Sequence, residues 1–420
     1  MTIDPSNGPS DERLSQEVSP KGSNLVLVGD FNERVILSTL RRHGPASKAD
    51  LSRLVGLTSN AAGMIVKKLE SGGLVRTRGK RYGGRGQPAT VLELNPDGAY
   101  SIGVRVDRTK IETVLVDLCG TVLDRRTLHR LPMPAGATNY LADTIGKIRD
   151  ALGETRKARL KGIGVAIPYN LGSWLRELDL PARKFRVWDR FDIGRELIRI
   201  TGLPVFVEND GNAAAAAELI YGHGRQLANF LYFFVGPVIG GGLVLGSDYQ
   251  RGETSNAGDV AVMPVGPSRL ASSFATGAAR TFLMTRASLH ALERHYAHHG
   301  IKASTDHDIE EIVARAPAAF DEWLEDACDA LSTSVLTSVH LLDIGHVVID
   351  SDLPGALLVR LIDRLGQVIS ANIAESRRPP TLLRGSLGCD AGAVGAASLP
   401  LHMTYHPLPA LLTSKTSERA

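Results

Sequence analysis

The sequence contains little cysteine and no long uninterrupted hydrophobic run. Of its 420 residues only three are cysteines, Cys119, Cys328 and Cys389, and none belongs to a C-x-x-C pair. We therefore expect neither a disulfide framework nor a cysteine-rich zinc site, and a reducing cytoplasm fits this usage. No apolar run approaches the roughly 18 residues that a membrane span needs. These absences predict a cytoplasmic protein without a membrane partner.

The first 22 residues also lack the basic start and the apolar segment of a signal peptide. They are rich in Ser, Pro, Gly and Asp, a composition that buries too little apolar surface to fold, so we predict a disordered tail at residues 1–26. At 420 residues the whole chain is too long for one compact domain. Its length suits a small module followed by a larger body.

Residues 32–88 carry the pattern of three short helices followed by a basic, glycine-rich hairpin. The first helix is predicted over 32–43 and is stopped by Gly44-Pro45. The second begins at the capping-box pattern Ser47-Lys-Ala-Asp50 and ends at Gly56, and the third begins at the N-cap candidate Thr58. This order is that of a winged helix-turn-helix, which predicts double-stranded DNA as a partner.

In such motifs the first residues of the recognition helix approach base edges in the major groove. The third helix therefore predicts readout by Ser59, Asn60 and Ala61 and phosphate contacts by Lys67 and Lys68, while the hairpin tip suits a minor groove. The predicted DNA-binding residues are Ser47, Thr58, Ser59, Asn60, Ala61, Met64, Lys67, Lys68, Arg78, Lys80, Arg81, Arg85 and Gln87.

Positive charge is concentrated in this segment. Between Phe31 and Asn95 there are twelve Lys and Arg against four Asp and Glu, a net charge of +8, whereas the whole chain carries only +3. Phosphate contacts supply most of the non-specific affinity of DNA-binding proteins, so this distribution favours DNA binding. The alternative is a three-helix protein-interaction module whose basic face is solvated.

Past Asn95 the pattern changes to strands of β-branched residues that alternate with helices, which predicts an α/β body. Strands are expected over 101–106, 111–116 and 121–125, then a helix over 138–152 and a strand over 162–166. A second run of strands, at 230–235 and 240–245, echoes the first set. Two similar lobes around a cleft are therefore expected.

Several segments resemble, in chain order, signatures of the ROK family of bacterial sugar kinases and the repressors built from them. They are Gly84-Arg-Gly-Gln-Pro88, Leu94-Asn-Pro96, Glu208-Asn-Asp-Gly-Asn-Ala-Ala214, Ile239-Gly-Gly-Gly-Leu-Val-Leu245, Arg251-Gly-Glu-Thr-Ser-Asn-Ala-Gly258 and Gly388-Cys-Asp-Ala-Gly-Ala-Val-Gly-Ala396. The resemblance implies an α/β body with a two-lobed, actin-like (ribonuclease H-like) sugar-kinase fold. The expected domains are a winged helix-turn-helix at 27–96, the kinase-like body at 97–410 and a tail at 411–420.

Departures from the family's kinases favour a regulator. Where the kinases carry a D-x-G-G-T-K phosphate loop, this chain reads Arg105-Val-Asp-Arg-Thr-Lys110, and Pro237 enters the second phosphate loop. Phosphoryl transfer depends on positioning and charge neutralisation around the phosphates, so we expect no cofactor and no enzymatic activity. Val262 stands at the family's zinc-ligating His position and the usual cysteine cluster is missing, so no metal is expected.

The resemblance also implies a sugar site that contains Asn209, Asp210, Asn256 and Asp259, with Asp210 at the position of the kinases' catalytic base. Amide and carboxylate groups of this kind grip vicinal hydroxyls. The alternative for Asn209 and Asp210 is that they only cap the helix that starts near Asn212. Trp188 flanks the segment that covers the sugar in relatives and is a candidate for stacking on it, as is Trp174; for both, a place in the core is the alternative.

Arg105 and Arg108 stand where a phosphate cradle is expected. They permit the hypothesis of an anionic effector such as a sugar phosphate or a sugar acid. The alternative is that both are surface loop cations paired with nearby acids.

These patterns predict a ligand-responsive transcriptional regulator, a repressor of carbohydrate-related genes. We expect it to bind a palindromic operator as a homodimer or tetramer and to respond to a sugar or sugar derivative. Two alternatives remain at this point. One is a regulator that binds DNA independently of any ligand, and the other is an ATP-dependent sugar kinase with a DNA-binding appendage.

Overall fold

Helices and a small antiparallel sheet form the N-terminal module. The computed structural model describes residues 25–82, 88–178, 180–273, 280–302 and 309–407. The elements of the module are α1 (Leu25–His43), β1 (Ala46–Ser47), α2 (Lys48–Val55), α3 (Ser59–Ser71), β2 (Val75–Arg81) and β3 (Ala89–Leu94). The strands pair in the order β1-β3-β2. This arrangement confirms the predicted winged helix-turn-helix.

Local sequence signals set the ends of the two central helices. The Ser47 side chain accepts a hydrogen bond from the backbone N–H of Asp50, and the Asp50 carboxylate accepts one from the backbone of Ser47, which is the predicted capping box. Gly56 ends α2 with a φ of 67°, a conformation that favours glycine. Thr58 caps α3 by accepting from the N–H of Ala61 at 3.3 Å. The turn between the two helices therefore follows from capping chemistry.

The start of α1 was predicted wrongly. The helix begins at Leu25, before the predicted start at Asn32, and it includes the last two residues of the stretch assigned to a disordered tail. We placed the start at Asn32 because the apolar periodicity begins there. That periodicity comes from the face of α1 that packs on the module, where Ile36, Leu37 and Leu40 are buried. Residues 1–24 and 408–420, to which the rest of the two predicted tails belongs, lie outside the described residues.

The first lobe of the body contains a five-stranded sheet with helices on both faces. Its elements are β4 (Tyr100–Val106), β5 (Ile111–Asp117), β6 (Val122–Leu128), α4 (Pro134–Lys157), β7 (Leu160–Ile167), α5 (Ala182–Phe185), α6 (Ile193–Thr201), β8 (Val205–Asn209) and α7 (Asp210–Tyr221). The strand order is β6-β5-β4-β7-β8. β4 pairs antiparallel with β5 and parallel with β7, so a hairpin and a crossover meet at the central strand.

The second lobe repeats this arrangement. Its elements are β9 (Phe230–Val235), β10 (Ile239–Leu245), β11 (Asp248–Tyr249), β12 (Pro264–Val265), β13 (Thr281–Phe282), α8 (Met284–Ala287), α9 (Leu289–His298), α10 (Ile309–Arg315), α11 (Pro317–Leu342), β14 (His346–Ser351), α12 (Gly355–Asn372) and β15 (Thr381–Arg384). The last helix, α13 (Ala391–Tyr405), returns to pack on the sheet of the first lobe. The main sheet runs β11-β10-β9-β14-β15, again with an antiparallel pair beside parallel strands. This repeat confirms the expected two-lobed body. Among the described residues no helix is long and apolar enough to cross a membrane.

Helix α13 crosses the first sheet at very short range because small residues line the contact. A Cβ added to Gly164 on β7 would lie 1.8 Å from the carbonyl oxygen of Ala396, and one added to Gly103 on β4 would lie 2.4 Å from that of Ala393. A Cβ on Gly395 would in turn meet the Ala213 carbonyl oxygen of α7 at 2.3 Å. The two helices and the sheet therefore pack backbone against backbone.

The winged module shares a hydrophobic core with the body. Leu40 of α1 and Leu92 of β3 belong to one buried cluster with Leu118, which follows β5, and with Leu401 and Tyr405 of α13. The predicted domain boundary at residues 96 and 97 marks a change in composition, but side-chain packing continues across it. The body's last helix is thereby in direct contact with the module.

The close helix–sheet contact predicts that Gly164→Ala strongly destabilises the body. The added methyl group overlaps backbone atoms that cannot move independently, and overpacking of this kind costs about 1–3 kcal/mol or more. Urea unfolding of the full chain measures the change. Gly146→Ala on α4 is the matched control, because nothing lies within 4 Å of its Cβ position. There we expect no loss of stability and a gain of up to about 1 kcal/mol. Equal stability of the two variants would contradict this packing.

Candidate functional site

The outer face of α3 is polar and open. Thr58, Ser59 and Asn60 are exposed at its start, and Met64 is 76% exposed one turn later. The opposite face, with Ala62, Val66 and Leu69, is buried against α1 and the sheet. The predicted readout residues thus share the solvent side of a rigidly anchored helix, which is the geometry that a major-groove reader requires.

Of the five predicted basic contacts that the structure describes, three are paired with acids of the module, namely Lys68, Arg78 and Arg81. Lys68 donates a hydrogen bond to Glu33 of α1, and this contact raises the pKa of Lys68. Arg81 lies 2.8 Å from Asp50. Within the described residues, exposed Lys67 and Lys80 form no salt bridge, so they are the predicted cations most available to phosphate.

The two arginines that precede the hairpin tip share a single acid. Arg76 and Arg78 lie 2.9 and 3.8 Å from Glu93 on the neighbouring strand. The pairing shifts register between Thr77 and Gly79, so Arg78 occupies a β-bulge. One carboxylate cannot neutralise two guanidinium groups, and this edge of the wing stays cationic.

Ser47 is not placed to contact DNA, although we predicted that it would be. It is only 3% exposed, and its hydroxyl is engaged with Asp50 in the cap of α2. Because the Ser47 side chain caps α2, as the capping-box pattern predicted, it is not available for the DNA contact that we also predicted for it. Two further predicted contacts, Arg85 and Gln87, lie outside the described residues.

A cavity of about 360 Å³ opens between the two lobes of the body. Its lining brings together four residues that the sequence assigned to a sugar site, namely Asn209, Asp210, Asn256 and Asp259. Asn209 ends β8 and Asp210 begins α7, whereas Asn256 and Asp259 come from the loop after β11. Residues that are nearly 50 positions apart in the chain therefore meet on one wall.

Asn209 serves two purposes. Its side-chain oxygen accepts from the backbone N–H of Gly211 at 2.8 Å and so caps α7, as the simpler interpretation predicted. Its amide nitrogen also donates to Asn256 Oδ1 at 3.2 Å, and Asn256 donates to Asp259 Oδ2 at 2.8 Å. The capping group thus belongs to a chain of amides and carboxylates along the cavity wall.

Asp210 lies beside this chain at the first position of α7. Burial raises the pKa of its carboxyl group, and the nearby cations Arg105 and Arg108 partly oppose that shift. The two guanidinium groups favour the charged carboxylate, which is a strong hydrogen-bond acceptor for a hydroxyl group.

Arg105 is not a surface cation, as one interpretation of the sequence had it. It is 6% exposed, lies 3.4 Å from both Asp107 and Glu112, and places its guanidinium 5.7 Å from the ring centre of Phe234. A Cβ on Gly392, at the start of α13, would come within 2.7 Å of its Cδ. The side chain fills the cleft floor between the segments matched to the kinases' two phosphate loops.

Arg108 holds a loop that the sequence did not single out. Its Nη2 donates to the carbonyl oxygens of Asn170 and Ser173 at 3.1 and 3.3 Å. The loop that begins at Pro168 lines the cavity, and it ends at Trp174, which has the unusual φ of 58° and packs edge-on against Phe282 at 5.7 Å. Periodicity could not indicate this wall, because it is irregular backbone fixed by a distant side chain.

Trp188 lies away from the cavity, contrary to our expectation. It is 4% exposed in the core of the first lobe, edge-on to Phe191 at 5.4 Å. Trp174 takes the position on the cavity wall instead. Nothing in the sequence favoured one tryptophan over the other as a cavity residue. Only the path of the loop in the structure distinguishes their positions.

A buried carboxylate supports the wall from behind. Glu208 is 4% exposed, lies 2.7 Å from Arg251 Nε and accepts a hydrogen bond from the Tyr249 hydroxyl at 3.3 Å. It also accepts from the backbone N–H of Asn209 at 3.0 Å. The quoted motifs contain Glu208 and Arg251, but their spacing of more than forty residues gave no sign that they meet.

The charges around the cavity suit a neutral ligand with many hydroxyl groups. Three carboxylates, Asp107, Asp210 and Asp259, line it with two guanidinium groups, those of Arg105 and Arg108. Arg105 is paired with acids, whereas Arg108 Nη2 donates to backbone carbonyl oxygens, so both side chains are held by contacts within the protein. Val262, at the family's zinc-ligand position, lines the cavity without offering a donor atom.

Two family models match the chain in succession. The model of a winged helix-turn-helix DNA-binding domain matches residues 32–76, and that of the ROK family matches residues 101–402. The first match ends inside β2 and the second begins inside β4, so together they cover both parts of the structure. The resemblance seen in the sequence is confirmed.

Relatives include both unassigned and named proteins. An uncharacterized protein of Sinorhizobium fredii is 28% identical over 394 residues, 89% of this chain and 92% of its own length. The xylose repressor of Bacillus subtilis is 26% identical over 244 residues, 58% of this chain and 62% of the repressor. This chain therefore matches less than two thirds of that repressor's length.

A similar solved structure has both parts of the molecule. It is a ROK family transcriptional regulator described as a homologue of the E. coli MLC protein, with a TM-score of 0.68 and 22% identity over 92% of this chain and 98% of that one. At this level of identity the likeness establishes the fold.

The exposed position of Lys67, without a salt bridge among the described residues, predicts that it contacts a DNA phosphate. Lys67→Ala should reduce the slope of log affinity against log salt on non-specific duplex DNA by about 0.9, the value for one phosphate contact. Fluorescence anisotropy titrations between low and moderate salt measure it. Lys147→Ala on α4, an exposed lysine of the body paired with Asp143, is the control and should leave the slope unchanged. An unchanged slope in Lys67→Ala would remove this residue from the interface.

Proposed function

The chain belongs to the ROK family, and from this premise we propose that it is a DNA-binding transcriptional repressor of carbohydrate-related genes. The observation that carries the proposal is the union of a winged helix-turn-helix with a body whose kinase phosphate loop is filled by Arg105 and Arg108. The relatives named as xylose repressors support the same assignment. The body then binds a sugar as a signal and does not phosphorylate it.

The filled phosphate loop argues against the kinase alternative. Phosphoryl transfer requires backbone amides and a metal ion close to the nucleotide phosphates. Here Arg105 occupies the space beside Gly392 and is paired with Asp107 and Glu112. Its movement would take this partner from Asp107, whereas Glu112 would keep Lys110 at 3.2 Å. The Asp107 carboxylate would then repel phosphate, and no neutralised cradle would result.

The effector is best described as a neutral sugar or sugar derivative. Asn209, Asn256, Asp210 and Asp259 together offer amide donors and carboxylate acceptors on one wall, which is the complement of adjacent hydroxyl groups. The surplus of carboxylates over free cations favours this ligand over the sugar phosphates and sugar acids of our earlier hypothesis. Trp174, which also lines the cavity, offers an apolar surface.

Helix α7 connects the cleft to the DNA-binding module. Its first turn is capped by Asn209 at the cavity, and its last residue is Tyr221. The short turn that follows places the carbonyl oxygen of Arg225 2.9 Å from Arg42 Nε, at the end of α1. A displacement of the start of α7 on sugar binding would therefore reach the module through this single helix.

Helix α13 provides a parallel connection. Gly392 at its start lines the cavity, and its last turns face α1. There Arg34 Nη1 donates to the carbonyl oxygens of Met403 and His406, both at 3.1 Å. Because α7 and α13 pack against each other backbone to backbone, the two connections should move together.

For such coupling to release DNA, the sugar must bind the two conformations with different affinity. A change from mostly bound to mostly released requires about 5.5 kcal/mol of differential binding. We propose a homodimer on a palindromic operator, since a single winged module buries little DNA surface and paired half-sites extend both affinity and specificity.

Selection from genomic DNA tests the assignment as a repressor. Purified protein mixed with sheared DNA of its source genome at physiological salt should enrich a palindromic sequence close to carbohydrate genes. Asn60→Ala, on the open face of α3, should lose this enrichment while retaining non-specific binding, because it removes a base contact and no charge. Enrichment of no defined site by the unaltered protein would exclude sequence-specific regulation.

Ligand binding in the cleft is tested with Asp210→Asn. A neutral sugar from a panel that begins with xylose and glucose should raise the melting temperature of the unaltered protein, whereas ATP with magnesium should not. Loss of one charge-assisted hydrogen bond should weaken the sugar affinity measured by calorimetry by about 10-fold or more. Asp143→Asn, an exposed carboxylate on α4, is the control and should bind normally. Sugar-dependent ATP hydrolysis would instead support the kinase alternative.

A further inference from the structure

Two imidazoles and a carboxylate meet outside the cleft, where the end of α13 faces β11. One ligand atom from each of Asp248, His402 and His406 can be chosen so that all three lie within 4.8 Å of one another. His402 Nε2 lies 3.7 Å from Asp248 Oδ1, and the rings of His402 and His406 are stacked with their centres 4.2 Å apart. Nothing in the proposed sugar response uses this cluster.

The backbone places the two histidines one helical turn apart. The N–H of His406 donates to the carbonyl oxygen of His402 at 2.8 Å, so the residues stand one helical turn apart on the same side of α13. His402 is 2% exposed, yet its Nδ1 has no hydrogen-bond partner among the described residues. A buried ring nitrogen without a partner calls for an explanation, because such groups are rarely left unsatisfied.

There is also room beside the cluster. A small cavity of about 40 Å³ adjoins it, lined by His406 and Ser247 and also by Arg41, Arg42 and Arg225. A space of this size accommodates a water molecule, whereas the three arginines disfavour a cation inside it, so the ion would lie at the three side chains themselves.

We propose that Asp248, His402 and His406 form a binding site for one divalent transition-metal ion, with Zn²⁺ as the ion that the donor set fits. Two imidazoles and one carboxylate leave a fourth tetrahedral position for water, which is a common zinc environment. Calcium and magnesium prefer oxygen-only sites and fit this set poorly.

Charged groups on both sides of the cluster oppose each other. Arg34 and Arg41 act on His406 and weaken the attraction of the cluster for a cation, whereas Asp248 supplies one negative charge in opposition. The Asp248 carboxylate is therefore essential to a cation site at this position.

A second cluster in the described part of the chain is a poorer candidate. His295, His299 and Glu322 also gather three ligand atoms within 4.8 Å. Both ring nitrogens of His295 already have partners, however, Ser272 Oγ at 2.7 Å and Glu322 Oε2 at 3.0 Å. Its imidazole is satisfied without a metal, and it serves as the internal control.

The position of the proposed site gives it a consequence for DNA binding. A bound ion would join β11 of the second lobe to the end of α13, at the carbonyl groups that Arg34 of α1 contacts. This would fix the surface on which the winged module rests. Zinc should therefore raise the thermal stability of the full chain, because it binds the folded state alone.

Metal titration of the full-length protein tests the proposal. Protein stripped with EDTA and dialysed is titrated with ZnCl₂ in a calorimeter, and we expect one ion per chain. Co²⁺ should give visible absorption bands of a four-coordinate site. His406→Gln and the more exposed Asp248→Asn should each weaken zinc binding at least about 10-fold, the effect of losing one ligand. His299→Gln should bind as the unaltered protein does.

The outcomes are distinguishable. Loss of binding in both site variants with retention in His299→Gln supports the site. The reverse pattern would assign the ion to the second cluster, and absence of stoichiometric zinc binding by the unaltered protein would overturn the proposal outright. Circular dichroism of each metal-free variant separates lost ligation from misfolding, and Asp248→Asn changes a partly exposed side chain of nearly the same size.

Discussion

The backbone contact of α13 with α7 and with the first sheet is the constraint on which the rest of the structure depends. Gly103 and Gly164 on the strands, and Gly395 on the helix, occupy positions where a Cβ would come within 2.4 Å of a carbonyl oxygen. Close-packed interiors respond to displacement as rigid bodies, because they lack the free volume to absorb it locally. The cleft at one end of these helices and the winged module at the other are therefore linked by elements that resist bending.

The receptor function that we propose for the cleft requires only a few substitutions in a kinase-like site. Arg105 places a side chain where phosphate would approach, and its charge is taken up by Asp107 and Glu112 within the same hairpin. Arg108 anchors a cavity wall instead of a nucleotide. The wall of amides and carboxylates that we propose to bind hydroxyl groups remains. In the proposed function, binding is thus separated from chemistry, and the free energy of sugar binding is available to bias the conformation of the linked helices.

Much of the fold was readable from local patterns. The capping box at Ser47, the left-handed glycine at Gly56 and the N-cap at Thr58 each act within a few residues, so the helix-turn-helix could be placed closely. Alternation of β-branched strands with helices likewise predicted two similar lobes. The start of α1 was missed because its first turns precede the periodic face. Trp188 was assigned to the ligand because nothing local distinguishes a core tryptophan from one on a cavity wall.

The sequence by itself determined the order of the elements, the concentration of charge in the first module and the residue types of the sugar wall. These follow from interactions between near neighbours in the chain and from composition. Only the tertiary structure decided that Arg105 is buried and neutralised, that Arg108 builds a wall from a loop more than sixty residues away, and that Asp248 meets two histidines at the end of α13. Those outcomes depend on which distant groups share a low-dielectric space, and the spacing of residues along the chain does not encode that proximity.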